Sequence, residues 1–305
     1  MRTEQEMFDL ILDTAKNDDR IRAVIMNGSR TNPNAKKDIF QDYDIVYLVT
    51  ETESFILDKD WISVFGEPLI FQFPDELAKI AGHESHFERC YGYLMQFADG
   101  NRIDLNIKTF DLVVEKMKSD KLTIVLLDKD NILPKVPAAT DEDYWVKKPN
   151  RELYSRCCNE YWWVLLYVAK GLWRGEILYS YDCLNSWVRP QLFDMISWYV
   201  GIQTNFSCSV GKSGKHLDKY LPKDIWERYL QTYPIADIDS FWSSVFIMSE
   251  LFEEIALKVG KEFSFTYNHD EAKKSRAFAQ HIRYLSKDAK ELYITDIMRD
   301  GCEGK

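Results

Sequence analysis

Apolar residues recur along this chain at two different spacings, and the change of spacing divides it. In the first part they alternate with polar residues or gather in short runs: Ile21 to Met26, Tyr43 to Val49, Leu69 to Phe73, Tyr91 to Phe97, Arg102 to Lys108 and Thr123 to Leu127. Runs of this length, rich in β-branched and aromatic residues, predict strands. Asp99-Gly100 between two of them predicts a hairpin, because glycine accepts the positive φ of a tight turn. Ahead of the strands, Thr3-x-x-Glu6 before Met7, Leu10 and Ile11 has the form of a capping box opening an amphipathic helix. A further helix is expected over 110–119, so this part reads as a mixed sheet with helices.

Beyond about residue 150 the apolar positions fall at helical spacing. Leu153, Cys157, Tyr161, Val164, Leu165, Val168 and Leu172 form one such series, and Tyr181, Leu184, Val188, Leu192, Met195 and Ile196 another. Of nine tryptophans seven lie here, which predicts a helical bundle with a bulky core. Between the two parts, Pro134, Pro137 and Pro149 sit in one polar stretch that can continue neither a helix nor a central strand. The expected organisation is α+β: a first domain over 1–135, a helical domain over 136–298, and a disordered tail over 299–305.

A formal net charge of −10 and a pI near 5.1 speak against a nucleic-acid partner, which usually meets clustered Lys and Arg. A cationic or small-molecule substrate fits the charge better. Six cysteines show no C-x-x-C spacing, and free thiols in a reducing compartment are expected. The start has no apolar signal core, and the longest apolar run, Tyr161 to Ala169, is too short to span a membrane. These features predict a cytoplasmic protein with no membrane partner.

Three stretches can carry chemistry. Gly28-Ser29-Arg30 follows the first strand, where glycine would allow close backbone approach to a phosphate and the hydroxyl and guanidinium could bind it. Asp42 and Asp44 enter the second strand on one face, since alternate residues of a strand share a face. Carboxylates at that range repel unless a cation sits between them, and a hard divalent ion is the obvious neutraliser. In "RIDLNIK", residues 102–108, Asp104 lies on the polar face of an alternating strand; should that strand lie beside the second, three acids converge. A single Asp at a strand end is more often a turn or cap residue. Other motifs fail: "HESH" at 83–86 lacks zinc-binding spacing, and "GKSGK" at 211–215 lacks the first glycine of a P-loop, because position 206 is Phe206. Cys157-Cys158 reads as a pair of buried, inert thiols.

Gly-Ser after one strand, Asp-x-Asp entering the next and a third acid in a later strand resemble the nucleotidyltransferase superfamily. The stretches "NGSRTNP", "KKDIFQDYDIVYLV", "CCNEYWWV", "KGLWRGEILYSYD" and "VRPQLFDMISW" resemble its aminoglycoside 6-adenylyltransferase branch over nearly the whole chain. Gln41 stands where a serine often precedes the first aspartate in the wider superfamily. The resemblance implies transfer of AMP from ATP to a hydroxyl of streptomycin, position 6, with pyrophosphate released, in a cleft between two domains. It implies that Gly28, Ser29 and Arg30 hold the triphosphate; Lys212, with Lys215, is a further candidate contact because lysine is a serviceable phosphate partner. Asp42, Asp44 and Asp104 would bind one or two Mg²⁺, with Asp104 also the base. Glu160, beside Tyr161-Trp162-Trp163, with Trp163 itself, and Asp182, expected just before a helix rich in apolar residues, are candidates for the drug, since a guanidinium-bearing sugar calls for carboxylates and aromatic surface. The alternatives are another acceptor, or a non-catalytic nucleotide-binding module.

Overall fold

The computed structural model describes residues 1–292, which form two compact units, Met1–Asp143 and the chain from Tyr144 onward. The first opens with α1 (Glu4–Asn17), whose capping box forms as expected: Thr3 accepts from the Glu6 amide and Glu6 from the Thr3 amide. There follow β1 (Ile21–Asn27), β2 (Tyr43–Val49), α2 (Glu53–Leu57), β3 (Pro68–Gln72), α3 (Pro74–Ile80), β4 (Cys90–Phe97), β5 (Arg102–Lys108), α4 (Phe110–Ser119) and β6 (Thr123–Asp128). The strands make one sheet in the order β3-β4-β5-β2-β1-β6, with β2 and β5 parallel and the other neighbours antiparallel. Asp99-Gly100 turns the β4–β5 hairpin, with Gly100 at φ +88°.

Alternation buries the two faces differently. Tyr43, Ile45, Tyr47, Ile103, Leu105 and Ile107 join Met7 and Ile11 of α1 in the larger core of this unit. The Tyr47 hydroxyl donates to the Ile11 carbonyl at 2.7 Å, which satisfies a polar atom that burial would otherwise penalise. On the opposite face Ala23, Ile25, Val46 and Leu48 pack under Val113 and Met117 of α4. That smaller layer leaves the polar members of β5 and the start of β2 half-exposed.

The proline-bearing stretch runs with the first unit as far as Asp143. Asp128 accepts from the Ile132 and Leu133 amides, Leu133 and Val136 pack against the smaller core layer, and Asp143 accepts from the Lys121 amide at 2.8 Å.

The second unit is helical: α5 (Arg151–Arg174), α6 (Ile177–Cys183), α7 (Arg189–Gln203), α8 (Leu217–Tyr220), α9 (Lys223–Gln231), α10 (Ile238–Phe263) and α11 (His269–Tyr284). Asn150 caps α5 by accepting from the Leu153 amide, and Gly175 ends it at φ +79°, where a side chain would be strained. Tyr161 of α5 stacks on Phe252 of α10 with ring centroids 3.7 Å apart, at the centre of the core. Leu153, in the first turn of α5, is exposed rather than core. Cys157 and Cys158 are buried, and loss of hydration pushes both thiols up, Cys158 to about 12, so neither is a nucleophile near neutral pH. Between α6 and α7 a single π-helical turn, Leu184–Val188, keeps right-handed helical geometry, so the two run on as one rod. Asp182 is therefore inside a helix, not ahead of one: its Oδ1 accepts from the Ser186 hydroxyl one turn on, at 3.1 Å. Among the described residues no helix is long and apolar enough to cross a membrane. The expected tail at 299–305 and Cys302 lie outside the described residues.

Candidate active site

The sheet register assembles the acids. Asp44 of β2 is paired with Asn27, the last residue of antiparallel β1, and with Asp104 of parallel β5. Paired residues on adjacent strands face the same way about 4.8 Å apart, so Asp44 and Asp104 are side-by-side neighbours. Asp42 stands one step before β2, on the same approach.

Gly28 follows Asn27 directly, at φ +72°. A Cβ there would fall 2.0 Å from Asp44 Oδ2, so the absent side chain is what lets the carboxylate rest against the turn. Asn27 anchors the turn to β6 by donating to Thr123 Oγ1 at 2.7 Å and to the Leu122 carbonyl at 3.2 Å. The turn itself, Gly28–Thr31, is a short 3₁₀ segment in which the Thr31 hydroxyl donates to the Gly28 carbonyl. Gln41 donates its side-chain amide to the Ser29 carbonyl at 3.4 Å, tying the arm that carries Asp42 to the turn.

Arg30 is engaged on every side. Its guanidinium donates to the Asp42 carbonyl at 3.0 Å, the Gln41 carbonyl at 2.8 Å and Glu4 Oε1 at 3.0 Å, and lies over the Tyr43 ring. It braces the Asp42 arm in this arrangement, with its charge directed at backbone carbonyls.

Burial, followed by the charges of Asp104 and Asp42, pushes the Asp44 carboxyl up to about 6. Burial also raises Asp42, against the pull of Arg102. The sequence reading passed over Arg102, although it stands two residues before Asp104 on an alternating strand and so shares its face. Arg102 Nε donates to Asp104 Oδ1 at 2.7 Å and Nη2 to Oδ2 at 2.9 Å, while Nε reaches within 3.8 Å of Asp42 Oδ2. Among the described residues no group of three His, Cys, Asp or Glu is arranged to close around a metal ion. The donors themselves suit a hard divalent cation: three carboxylates brought to one end of the sheet, with Asp44 raised first by burial and then by the charges of the other two.

The remaining candidates stand in the second unit. Glu160 is half-buried on α5, and Trp163 is exposed one turn on, edge-to-face with Tyr167, to whose oxygen it donates at 3.2 Å. Asp182 is exposed on α6, one turn past the exposed Tyr179. Tyr167 and Tyr179 extend the aromatic surface, and helical spacing from Trp163 and Asp182 was the available signal for them. Lys212 is exposed in a 3₁₀ turn next to Gly211.

A glycine–serine turn and an Asp-x-Asp arm set beside a third aspartate on a mixed sheet define the class, that of the nucleotidyltransferases. The family model described as streptomycin adenylyltransferase matches residues 1–282, and the chain belongs to that family. It is 40% identical over 289 residues to an aminoglycoside 6-adenylyltransferase of Campylobacter jejuni, covering 94% of this chain and 99% of that one. It is 38% identical over 273 residues to an aminoglycoside 6-adenylyltransferase of Bacillus subtilis (strain 168), covering 89% and 95%. A crystal structure of an aminoglycoside 6-adenyltransferase from Bacillus subtilis aligns at 33% identity over 93% of this chain and 100% of that one, with a TM-score of 0.46. The chain is thus a nucleotidyltransferase enzyme.

Proposed function

We propose that the protein transfers AMP from ATP to a hydroxyl of streptomycin, position 6, releasing pyrophosphate and so conferring resistance to the drug. The observation that carries this reading is the register of Asp44 against Asp104, with Gly28 bare beneath the Asp44 carboxylate. The relatives named 6-adenylyltransferases support the acceptor class and the position.

In this reading the Gly28 turn offers backbone amides and the Ser29 hydroxyl to the triphosphate, with Lys212 as a further contact. Arg30, tied to the Gln41 and Asp42 carbonyls, acts as the brace that orients the acid arm more than as a phosphate ligand. Asp42, Asp44 and Asp104 would hold one or two Mg²⁺, which when bound neutralises charge on the α-phosphate and on the departing pyrophosphate. Asp104 takes the proton of the attacking hydroxyl. Arg102 donates to both Asp104 oxygens and so fixes where that carboxylate stands.

Glu160 and Asp182 would pair with the guanidinium groups of the drug, and Trp163 with Tyr167 would give it a face to lie on. The free thiols of the described residues suit a reducing cytoplasm, and the negative charge suits a cationic substrate and not a nucleic acid. The test is pyrophosphate release from ATP measured with and without streptomycin and Mg²⁺. Release that needs all three supports the reading; ATP binding with no release in the presence of streptomycin would remove streptomycin as acceptor.

A further inference from the structure

Two arginines serve the acid cluster, and they are held in opposite ways. Arg30 is locked: carbonyls, Glu4 and the Tyr43 ring occupy its guanidinium, and its side chain is only 11% exposed. Arg102 is bound by the acids alone, and its side chain is 39% exposed. It also borders a hollow of ≈ 190 Å³ on the sheet face, walled by Ile70, Phe71, Gln72, Leu94 and Gln96. A half-exposed arginine with neighbouring free space can leave its partners at low cost, because exposed ion pairs are weak.

The bonds it makes are those a cation would need. Both Asp104 oxygens accept from Arg102, and the same guanidinium lies 3.8 Å from Asp42. A divalent ion that drew on Asp104 would have to take those oxygens from Arg102, and would meet its positive charge a few ångströms away. We propose that Arg102 is an exchangeable counter-ion that holds Asp104 and Asp42 until a divalent cation takes their oxygens, then turns into the adjoining hollow. It is a positioning residue, and its departure leaves the Asp104 oxygens to the cation. The inference rests on the reading of these aspartates as metal ligands.

The experiment is Mn²⁺ binding to the full chain without nucleotide, followed by electron paramagnetic resonance, for wild type, Arg102→Ala, Arg102→Gln and Asp44→Asn. Removing a competing charge at this range should tighten Mn²⁺ about five- to tenfold in both Arg102 variants. Two variants are used so that a folding defect in one, visible in its thermal unfolding, leaves the other to decide. A residue that merely supported the fold would weaken the site on removal, so tightening is the distinguishing sign. Equal or weaker Mn²⁺ binding in the Arg102 variants, with binding still abolished by Asp44→Asn, overturns the counter-ion role alone. Absence of binding in wild type, or binding that Asp44→Asn leaves unchanged, overturns the metal reading and the counter-ion role with it.

Discussion

The acidic end of the sheet and the exposed aromatic face of α5 and α6 present their candidate side chains in different ways. At the sheet, backbone register dictates where the carboxylates stand: Asp44 is opposite Asn27 on one side and Asp104 on the other, and Gly28 leaves it room. On the helices, Glu160, Trp163 and Asp182 are placed by turn spacing on a surface, with one hydrogen bond each for Trp163 and Asp182. A group held by register and packing has few alternatives, whereas a group on a helix surface keeps its rotamers. Chemistry that tolerates little error belongs with the first arrangement. Recognition of a flexible, polyvalent cation can be served by the second.

The comparison breaks most visibly at the sheet. Asp104→Asn should lower kcat about a thousandfold while nucleotide binding changes little, as expected for loss of a base. Turnover near wild type would remove Asp104 from that role. Next in size is Gly28→Ala. The new methyl would collide with Asp44 and demands a left-handed φ, so kcat should fall about a hundredfold through displacement of the acid. An active Gly28→Ala enzyme would mean that Asp44 need not rest where it does.

A smaller effect concerns stability. With divalent ions chelated, the folded chain keeps the Asp44 proton up to about pH 6, whereas the unfolded chain releases it near 4. The folded state binds more protons in that window, so this group's contribution declines as pH rises from about 4 to about 6 and is constant above. Asp44→Asn should then stabilise the chelated protein by ~1–2 kcal/mol at pH 7.5 and by almost nothing at pH 4, a figure reduced for the residue's partial access to water. Urea unfolding at the two pH values checks this; an equal change at both would show that the charge is not the cause.

The helical face should respond least. Trp163→Ala and Asp182→Asn should each raise the KM for streptomycin about fivefold and leave the KM for ATP alone, in line with exposed cation–π and ionic contacts. An unchanged drug KM in either variant would strike that residue from the surface that meets the drug. A loss as large as that of Asp104→Asn would erase the distinction between the two regions.

Much of this was readable along the chain because it depends on local spacing. Period-two alternation marks Asp42 with Asp44 and sets Asp104 on a polar face, the Thr3–Glu6 box opens α1, and the change to helical spacing separates the two kinds of architecture. What spacing cannot reveal is which strands become neighbours, because pairing joins residues far apart in sequence. The parallel pairing of β2 with β5 is what brings Asp104 to Asp44, and only the folded sheet supplies it. The same limit hid the partners of the two arginines. Beside the Gly-Ser turn, Arg30 is expected at a phosphate, and no local spacing shows that folding also brings the Gln41 and Asp42 carbonyls and Tyr43 around it. Arg102 looked like one more polar residue of an alternating strand until the sheet set Asp42 beside it. Asp182, expected just ahead of a helix, lies within one, because the π turn lets α6 run on into α7. The sequence by itself determined which residue types are available and on which face of each element they lie, since that follows from backbone geometry within a few residues. The tertiary structure alone decided which of them meet, because long-range pairing is chosen by the burial of whole sheet faces and not by any one residue's neighbours.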